Sequence, residues 1–136
     1  SPGALFFLKP PFDSLKAALS KANETTMPVF TVIYDNDHPT HSKLSYSLGY
    51  FMEYQATKRL VDEYFVPAVV PLQQDEVRKL IPEDDPMENC RLVVIRPDGH
   101  ILFSEGVYAN PDEGLKRVRS IIAQWKLSGS VKKEAR

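Results

Sequence analysis

The chain has 136 residues, of which 43% are hydrophobic and 26% are charged, and its formal net charge is −1. This length suits one domain with a real hydrophobic core, and the composition is that of an ordinary globular protein. We expect neither a nucleic-acid partner, which usually needs a clustered basic surface, nor a transmembrane segment, because no apolar run approaches the roughly 20 residues that span a bilayer.

The first half of the chain alternates helical and strand patterns. Residues 12–23 predict a helix because their apolar side chains recur at helical spacing. Residues 28–34 are β-branched, aromatic and almost continuously apolar, which predicts a central strand. After a polar break, residues 43–64 predict a long helix, in which Gly49 favours a kink or a division into two helices. Residues 65–70 predict a second strand, whose proline favours its beginning or a sheet edge.

The second half predicts a short helix, a hairpin and a closing helix. Residues 73–81 favour the short helix, and an acidic loop separates it from a strand over residues 91–96. A proline-aspartate-glycine turn then reverses the chain into a strand over residues 100–106. Residues 111–126 predict the last helix, with an asparagine cap and a proline in its first turn. This order predicts an α/β fold with a central mixed β-sheet, helices on both faces, and a C-terminal β-hairpin plus helix.

The pattern contains no internal repeat and predicts a single domain. We expect that domain to span residues 12–127. An N-terminal extension would precede it over residues 1–11, and a polar tail would follow it over residues 128–136.

Several segments resemble the thioredoxin-like superfamily. Residues 28–35 (PVFTVIYD) resemble its first core strand, and residues 64–69 (YFVPAV) resemble its second. Residues 92–99 (LVVIRPDG) resemble its hairpin, and residues 106–108 (GVY) are similar to the Gly-Tyr pair that follows it. The resemblance covers about residues 12–126 and implies a thioredoxin-like fold.

The sequence departs from that family at its functional motifs. Where the family has a Cys-x-x-Cys pair at the start of the long helix, this chain has His38-Pro39-Thr40-His41. Where the family has a cis-proline before the hairpin, this chain has Cys90. Thiol–disulfide exchange needs an attacking thiolate and a second thiol, and the chain has one cysteine, so the resemblance implies a redox-inactive member. A lone cysteine fits a reducing compartment such as the cytoplasm, although it does not exclude an oxidising one.

The two histidines suggest a metal site. His38 and His41 are three residues apart, which places them on one face of a helix, and a helix N-terminus favours the neutral imidazole that a metal needs. If the fold is right, Cys90 approaches the same place, and the three side chains would bind zinc or copper. Otherwise we expect no cofactor. The carboxylates that could support such a site are Asp37, Asp84, Asp85 and Glu88.

Other interpretations of the same residues remain open. The histidines can be surface residues of a loop that starts a helix, and Cys90 can be a small buried hydrophobic residue. Either histidine could act as a general base, but no nucleophile signature surrounds them. Residues 35–39 (DNDHP) also resemble the "GDDH" stretch of UAS domains, which are redox-inactive thioredoxin-like modules with interaction and lipid-sensing functions.

We therefore expect a non-catalytic domain that binds a protein or peptide partner. Its surface would combine the loop of residues 37–41 with the loop of residues 86–91. The alternatives are a metal-binding protein and a UAS-like lipid-sensing or adaptor domain, and an enzymatic function ranks below both. The candidate binding residues are Asp37, His38, Pro39, Thr40, His41, Asn89 and Cys90.

Overall fold

The structure is a computed structural model that describes residues 2–37 and 43–134, with side chains described up to Leu127. A short 3₁₀ helix occupies Ala4–Phe6. The other elements, in chain order, are α1 (Leu15–Thr25), β1 (Val29–Tyr34), α2 (Leu44–Phe51), α3 (Gln55–Tyr64), β2 (Val66–Pro71), α4 (Asp75–Arg78), β3 (Arg91–Ile95), β4 (Ile101–Gly106) and α5 (Pro111–Glu134).

The four strands form one mixed sheet in the order β2–β1–β3–β4. Strand β1 is parallel to β2 and antiparallel to β3, and β3 forms an antiparallel hairpin with β4. Phe12 extends the sheet beyond β2: its N–H donates to the carbonyl of Pro67 at 2.9 Å, and its carbonyl accepts from the N–H of Val69 at 3.0 Å. The predicted mixed sheet with a C-terminal hairpin and helix is confirmed.

Helices cover both faces of the sheet because successive side chains of a strand point to opposite faces. On β1, Phe30 and Val32 pack into the core beneath α2, α3 and α5. Val29 and Ile33 pack on the opposite face, beneath α1 and α4. This arrangement explains why β1 reads as continuously apolar in the sequence.

The predicted long helix is divided into two helices, which is one of the two predicted alternatives. The division, however, is not at Gly49. Gly49 lies inside α2, and the chain breaks between Met52 and Tyr54, where Tyr54 adopts an extended conformation that starts α3. Gly49 serves a different purpose: a Cβ at this position would lie 3.3 Å from the Phe6 ring. The glycine therefore permits the N-terminal segment to approach α2 closely.

The N-terminal segment packs against the sheet's core. The Phe7 side chain is buried, and its ring meets that of Phe30 edge to face, with 6.3 Å between centroids. Phe6 also packs against this core. The domain limits at residues 12 and 127 stay a prediction. Their test is whether residues 12–127 fold without residues 1–11 and 128–136.

The closing helix is longer than its apolar pattern predicts. The apolar face that the pattern follows ends at Trp125, whereas the α5 backbone remains helical to Glu134. None of the helices in the described part of the chain combines the length and the apolar composition that crossing a bilayer requires.

Candidate functional site

The segment that carries the two histidines lies outside the described residues. His38, Pro39, Thr40 and His41 are all in it, so the histidine pair and its metal site stay a prediction. The residues that flank it connect the C-terminal end of β1 to the N-terminal end of α2. The segment therefore follows the end of a strand and precedes the start of a helix, which is the position that the resemblance implies for it.

Asp37, on the near side of this segment, is held at the sheet edge by one glutamine. The Gln73 amide nitrogen donates to Asp35 Oδ1 at 2.8 Å and to Asp37 Oδ2 at 3.2 Å. The Gln73 amide oxygen accepts from the N–H of Asn36 at 3.1 Å. Asp37 is exposed, so its carboxylate faces solvent from a fixed position.

The loop before β3 lies against the start of α2. The Ser47 hydroxyl of α2 donates to Asn89 Oδ1 at 3.4 Å, and the N–H of Val107 donates to the carbonyl of Cys90 at 2.8 Å. Asn89 is exposed, while Cys90 is fully buried in the same core cluster as Leu44. The structure therefore brings residues 89 and 90 to the helix that begins just after the histidine segment, as the resemblance implies.

Burial decides the chemistry of Cys90. Loss of hydration disfavours the thiolate and raises the pKa of this thiol from its ordinary 9.0 to about 12. The thiol is therefore neutral near pH 7, where a nucleophile or a metal ligand would have to be a thiolate. This environment is that of a small buried hydrophobic residue.

The acidic loop contains one carboxylate that is fully engaged inside the protein. Asp85 Oδ2 lies 2.8 Å from Arg91 Nη1, and the two side chains are only 14% and 17% exposed. Asp85 Oδ1 accepts the N–H of Met87 at 2.9 Å, and Arg91 Nε donates to Ser104 Oγ at 2.9 Å. Asp85 thus holds the loop against the hairpin, and its carboxylate is not available to support a metal ion.

The remaining acidic residues of this loop do not converge. Glu83, Asp84 and Glu88 are exposed. Within residues 2–37 and 43–134, no group of three or more histidine, cysteine, aspartate or glutamate side chains is arranged to hold a metal ion.

Sequence reasoning missed a row of exposed tyrosines beside this loop. Tyr46, Tyr50 and Tyr54 are 60%, 46% and 38% exposed, and we call them the tyrosine ridge. The Tyr46 and Tyr50 rings meet edge to face, with 5.2 Å between centroids. The four-residue spacing of Tyr46 and Tyr50 was the available signal, because residues four apart share a helix face, and this face is not the apolar one that marks the core. Tyr54 lies beyond the end of α2 and precedes α3.

The far end of the ridge is tied to α5. The Tyr54 hydroxyl donates to Asp112 Oδ1 at 2.6 Å. This hydrogen bond is the main reason that the pKa of Tyr54 is raised, with smaller contributions from desolvation and from the charges of Asp112 and Glu53. The Tyr54 hydroxyl is therefore held beside the Asp112 carboxylate.

A fourth exposed tyrosine lies on the other side of the Asn89 loop. Tyr108 is 53% exposed and directly follows Val107, whose N–H bonds to Cys90. The Arg117 guanidinium lies 5.7 Å from the centre of the Tyr108 ring. Elements that border Asn89 on both sides therefore carry exposed tyrosines.

Comparison with known proteins identifies the architecture. No protein-family model matches the chain, and no curated protein is significantly similar to it. Among solved structures, it is similar to a thioredoxin from Thermus thermophilus, with a TM-score of 0.65 and 16% identity over 88% of this chain and 92% of that one. It is also similar to a DsbH oxidoreductase, with a TM-score of 0.60 and 14% identity over 90% of this chain and 91% of that one. The chain has a thioredoxin-like fold.

The thioredoxin-like fold confirms the fold class that the sequence resemblance implied. At these identities the similarity establishes the architecture alone. A Cys-x-x-Cys pair is ruled out by the sequence itself, because the chain has a single cysteine. This thioredoxin-like chain therefore lacks the dithiol that thiol–disulfide exchange requires.

Proposed function

We propose that this chain is a non-catalytic thioredoxin-like domain that binds a protein or peptide partner. The proposed binding surface comprises the predicted residues 37–41, the loop of residues 86–91 and, in addition, the tyrosine ridge. The observation that carries the proposal is the ridge itself, a row of exposed aromatic side chains next to Asn89.

Tyrosines in such a row favour contact with another protein. Tyrosine is enriched at protein interfaces because its ring offers a large apolar area while only two side-chain torsions are ordered on binding. Each ridge tyrosine leaves more than a third of its surface in water. Singly exposed apolar residues need no explanation, but aromatic side chains that adjoin one another on one face are typical of interaction sites.

The surroundings of the ridge supply a rigid support for binding. The ion pair between Asp85 and Arg91 fixes the loop of residues 86–91, and Gln73 fixes Asp37. A surface that is already ordered loses less conformational entropy on binding, so more of the contact energy appears as affinity.

The position of Cys90 supports a non-catalytic role. Its thiol is buried, its pKa is about 12, and the chain has no second cysteine to resolve a mixed disulfide. No contact of the described residues favours the metal-binding alternative or the UAS-like lipid-sensing alternative.

Affinity capture with matched variants tests the proposal. The wild-type chain is compared with the double variant Tyr46→Ser, Tyr50→Ser, and with Ile101→Ser, which alters a half-exposed apolar residue on β4. We expect at least one protein to be retained by the wild type and by Ile101→Ser but lost by the ridge variant. Identical sets of captured proteins from all three chains would refute the surface assignment.

A further inference from the structure

The charges around the tyrosine ridge indicate the chemistry of its partner. Glu53 and Asp112 are exposed at the C-terminal end of the ridge, and neither carboxylate forms an ion pair with a cation in the described part of the chain. Both contribute to the raised pKa of Tyr54. Two exposed carboxylates that form no ion pair among the described residues therefore lie at the Tyr54 end of the ridge.

Nearby cations do not cancel this charge. Arg117 is shared between Glu105 at 2.7 Å and Glu113 at 3.6 Å, so this group of three residues is itself net negative. Lys116 lies one turn after Asp112 on α5 but forms no ion pair with it. Lys43 lies at the opposite end of α2 from the two carboxylates.

We propose, on the basis of the binding function inferred above, that the tyrosine ridge binds a basic peptide segment whose arginine or lysine side chains lie over the rings of Tyr46 and Tyr50. A guanidinium or ammonium group is attracted to the face of an aromatic ring, and the carboxylates of Glu53 and Asp112 add a favourable charge. The same carboxylates repel an acidic segment.

The spacing of the ridge fits an extended peptide. Tyr46 and Tyr50 are four residues apart on a helix, which corresponds to a rise of about 6 Å. Alternate side chains of an extended chain, which point the same way, repeat at about 6.8 Å. Arginines at every second position therefore repeat at nearly the spacing of the two tyrosines along the helix.

The chain already contains the contact that the proposal requires. The Arg117 guanidinium lies 5.7 Å from the Tyr108 ring centre, and Lys126 Nζ lies 4.8 Å from that of Tyr64. In both cases a half-exposed or exposed tyrosine holds a cation at the surface. Tyr46 and Tyr50 have no such intramolecular cation among the described residues, so their faces are available to one from a partner.

The test is a titration of the ¹⁵N-labelled full chain at low ionic strength, followed by NMR. The probe is the capped peptide acetyl-Gly-Arg-Gly-Arg-Gly-amide, and its control replaces both arginines with citrulline, a neutral group of nearly the same shape. We expect the arginine peptide to shift amide signals of α2 and to bind about fivefold more tightly than the citrulline peptide.

Two variants separate the ring contribution from the charge contribution. Tyr46→Ala with Tyr50→Ala should weaken binding of the arginine peptide about fivefold. Glu53→Gln with Asp112→Asn should weaken it about threefold, and added salt should weaken wild-type binding because these charges are exposed. Ile101→Ser, on β4, should bind like the wild type.

The outcomes distinguish this inference from the proposed function. Equal binding of the citrulline peptide, shifts confined to other elements, or no saturable binding at millimolar peptide would overturn the basic-peptide assignment. If affinity capture nevertheless loses a partner with the ridge variant, the binding function stands and the partner segment is not basic. If the arginine peptide binds as expected but no partner is lost, the ridge recognises cations and the proposed function is wrong.

Discussion

The two sides of α2 present different chemistry. Toward the sheet, Leu44 and Leu48 belong to the same buried core as Cys90, whose thiol stays protonated there near pH 7. Toward solvent, the same helix exposes Tyr46 and Tyr50, which have no reactive chemistry but a large contact area. In this thioredoxin-like fold the thiol is buried and the two tyrosine rings are exposed, which is the distribution that the proposed binding function requires.

The largest effect should come from separating α2 and α5. Gly114 of α5 packs directly on the backbone of α2, and an added Cβ would overlap the carbonyl oxygen of Phe51. Because a backbone atom cannot move aside as a flexible side chain can, Gly114→Ala should lower the free energy of unfolding by about 3 kcal/mol. Urea denaturation measures this value.

A second glycine provides the matched control. Nothing lies within 4 Å of a Cβ added at Gly106, so Gly106→Ala should change the free energy of unfolding by less than about 0.5 kcal/mol. Equal losses from the two variants would mean that the close approach of Gly114 to the Phe51 carbonyl is not what makes Gly114→Ala destabilising.

The next effect concerns the loop that supports the site. Asp85→Ala leaves the Arg91 guanidinium mostly buried without its carboxylate, and it also removes the acceptor for the Met87 N–H. We expect the free energy of unfolding to fall by about 2 kcal/mol, less than for a fully buried pair because both side chains retain some exposure. Thermal and urea denaturation both report it.

A more exposed ion pair provides the control for the Asp85→Ala prediction. Arg117 and Glu105 are about a third exposed and lie 2.7 Å apart, so Glu105→Ala should cost only about 0.5 kcal/mol. If it costs as much as Asp85→Ala, burial is not the reason that the Asp85 pair matters.

A smaller effect, with a distinctive pH dependence, is expected at Cys90. Cys90→Ala should cost about 1 kcal/mol near pH 7 through lost packing. In the wild type, the folded state holds the thiol proton up to a pKa of about 12, whereas the unfolded chain releases it near 9.0. The stabilisation from this thiol is therefore complete below pH 9 and declines as the pH rises from 9 toward 12.

The decline in the free energy of unfolding above pH 9 is the signature of the buried Cys90 thiol. By pH 10, about 1.4 kcal/mol of wild-type stability has been lost through it, and Cys90→Ala has no such loss. The difference between the two free energies of unfolding should thus shrink above pH 8 and change sign between about pH 9 and pH 10. A constant difference, or rapid labelling of the native protein by a thiol reagent, would show that Cys90 is accessible.

The fold could be predicted from the sequence because its elements carry strong local patterns. The run of residues 28–34 reads as a central strand since both of its faces are buried, and the hairpin follows from a turn whose glycine adopts a positive φ of 91°. The break between Met52 and Tyr54 could not be placed, because it depends on how α2 and α3 meet the rest of the core. Gly49 drew attention as a helix breaker, but it accommodates the Phe6 ring.

The candidate site was only partly predictable. The proximity of Asn89 and Cys90 to the start of α2 followed from the family resemblance. The engagement of Asp85 by Arg91 could not, since an acidic loop residue carries no sign of its partner. The ridge could not be inferred in the same way, because tyrosines on the solvent face of a helix carry no signature of metal or proton chemistry.

The smallest effect on stability should accompany the largest effect on binding. Tyr46→Ser with Tyr50→Ser removes two exposed rings that contact mainly each other, so the free energy of unfolding should change by no more than about 1 kcal/mol, near the sum of two ordinary surface substitutions. Urea denaturation run beside the affinity capture measures it.

A loss of several kcal/mol would mean that the rings are structural and that α2 has no side reserved for a partner. A near-neutral value together with lost binding would separate the two sides of the helix, because structural stability would then depend on its buried face and recognition on its exposed one.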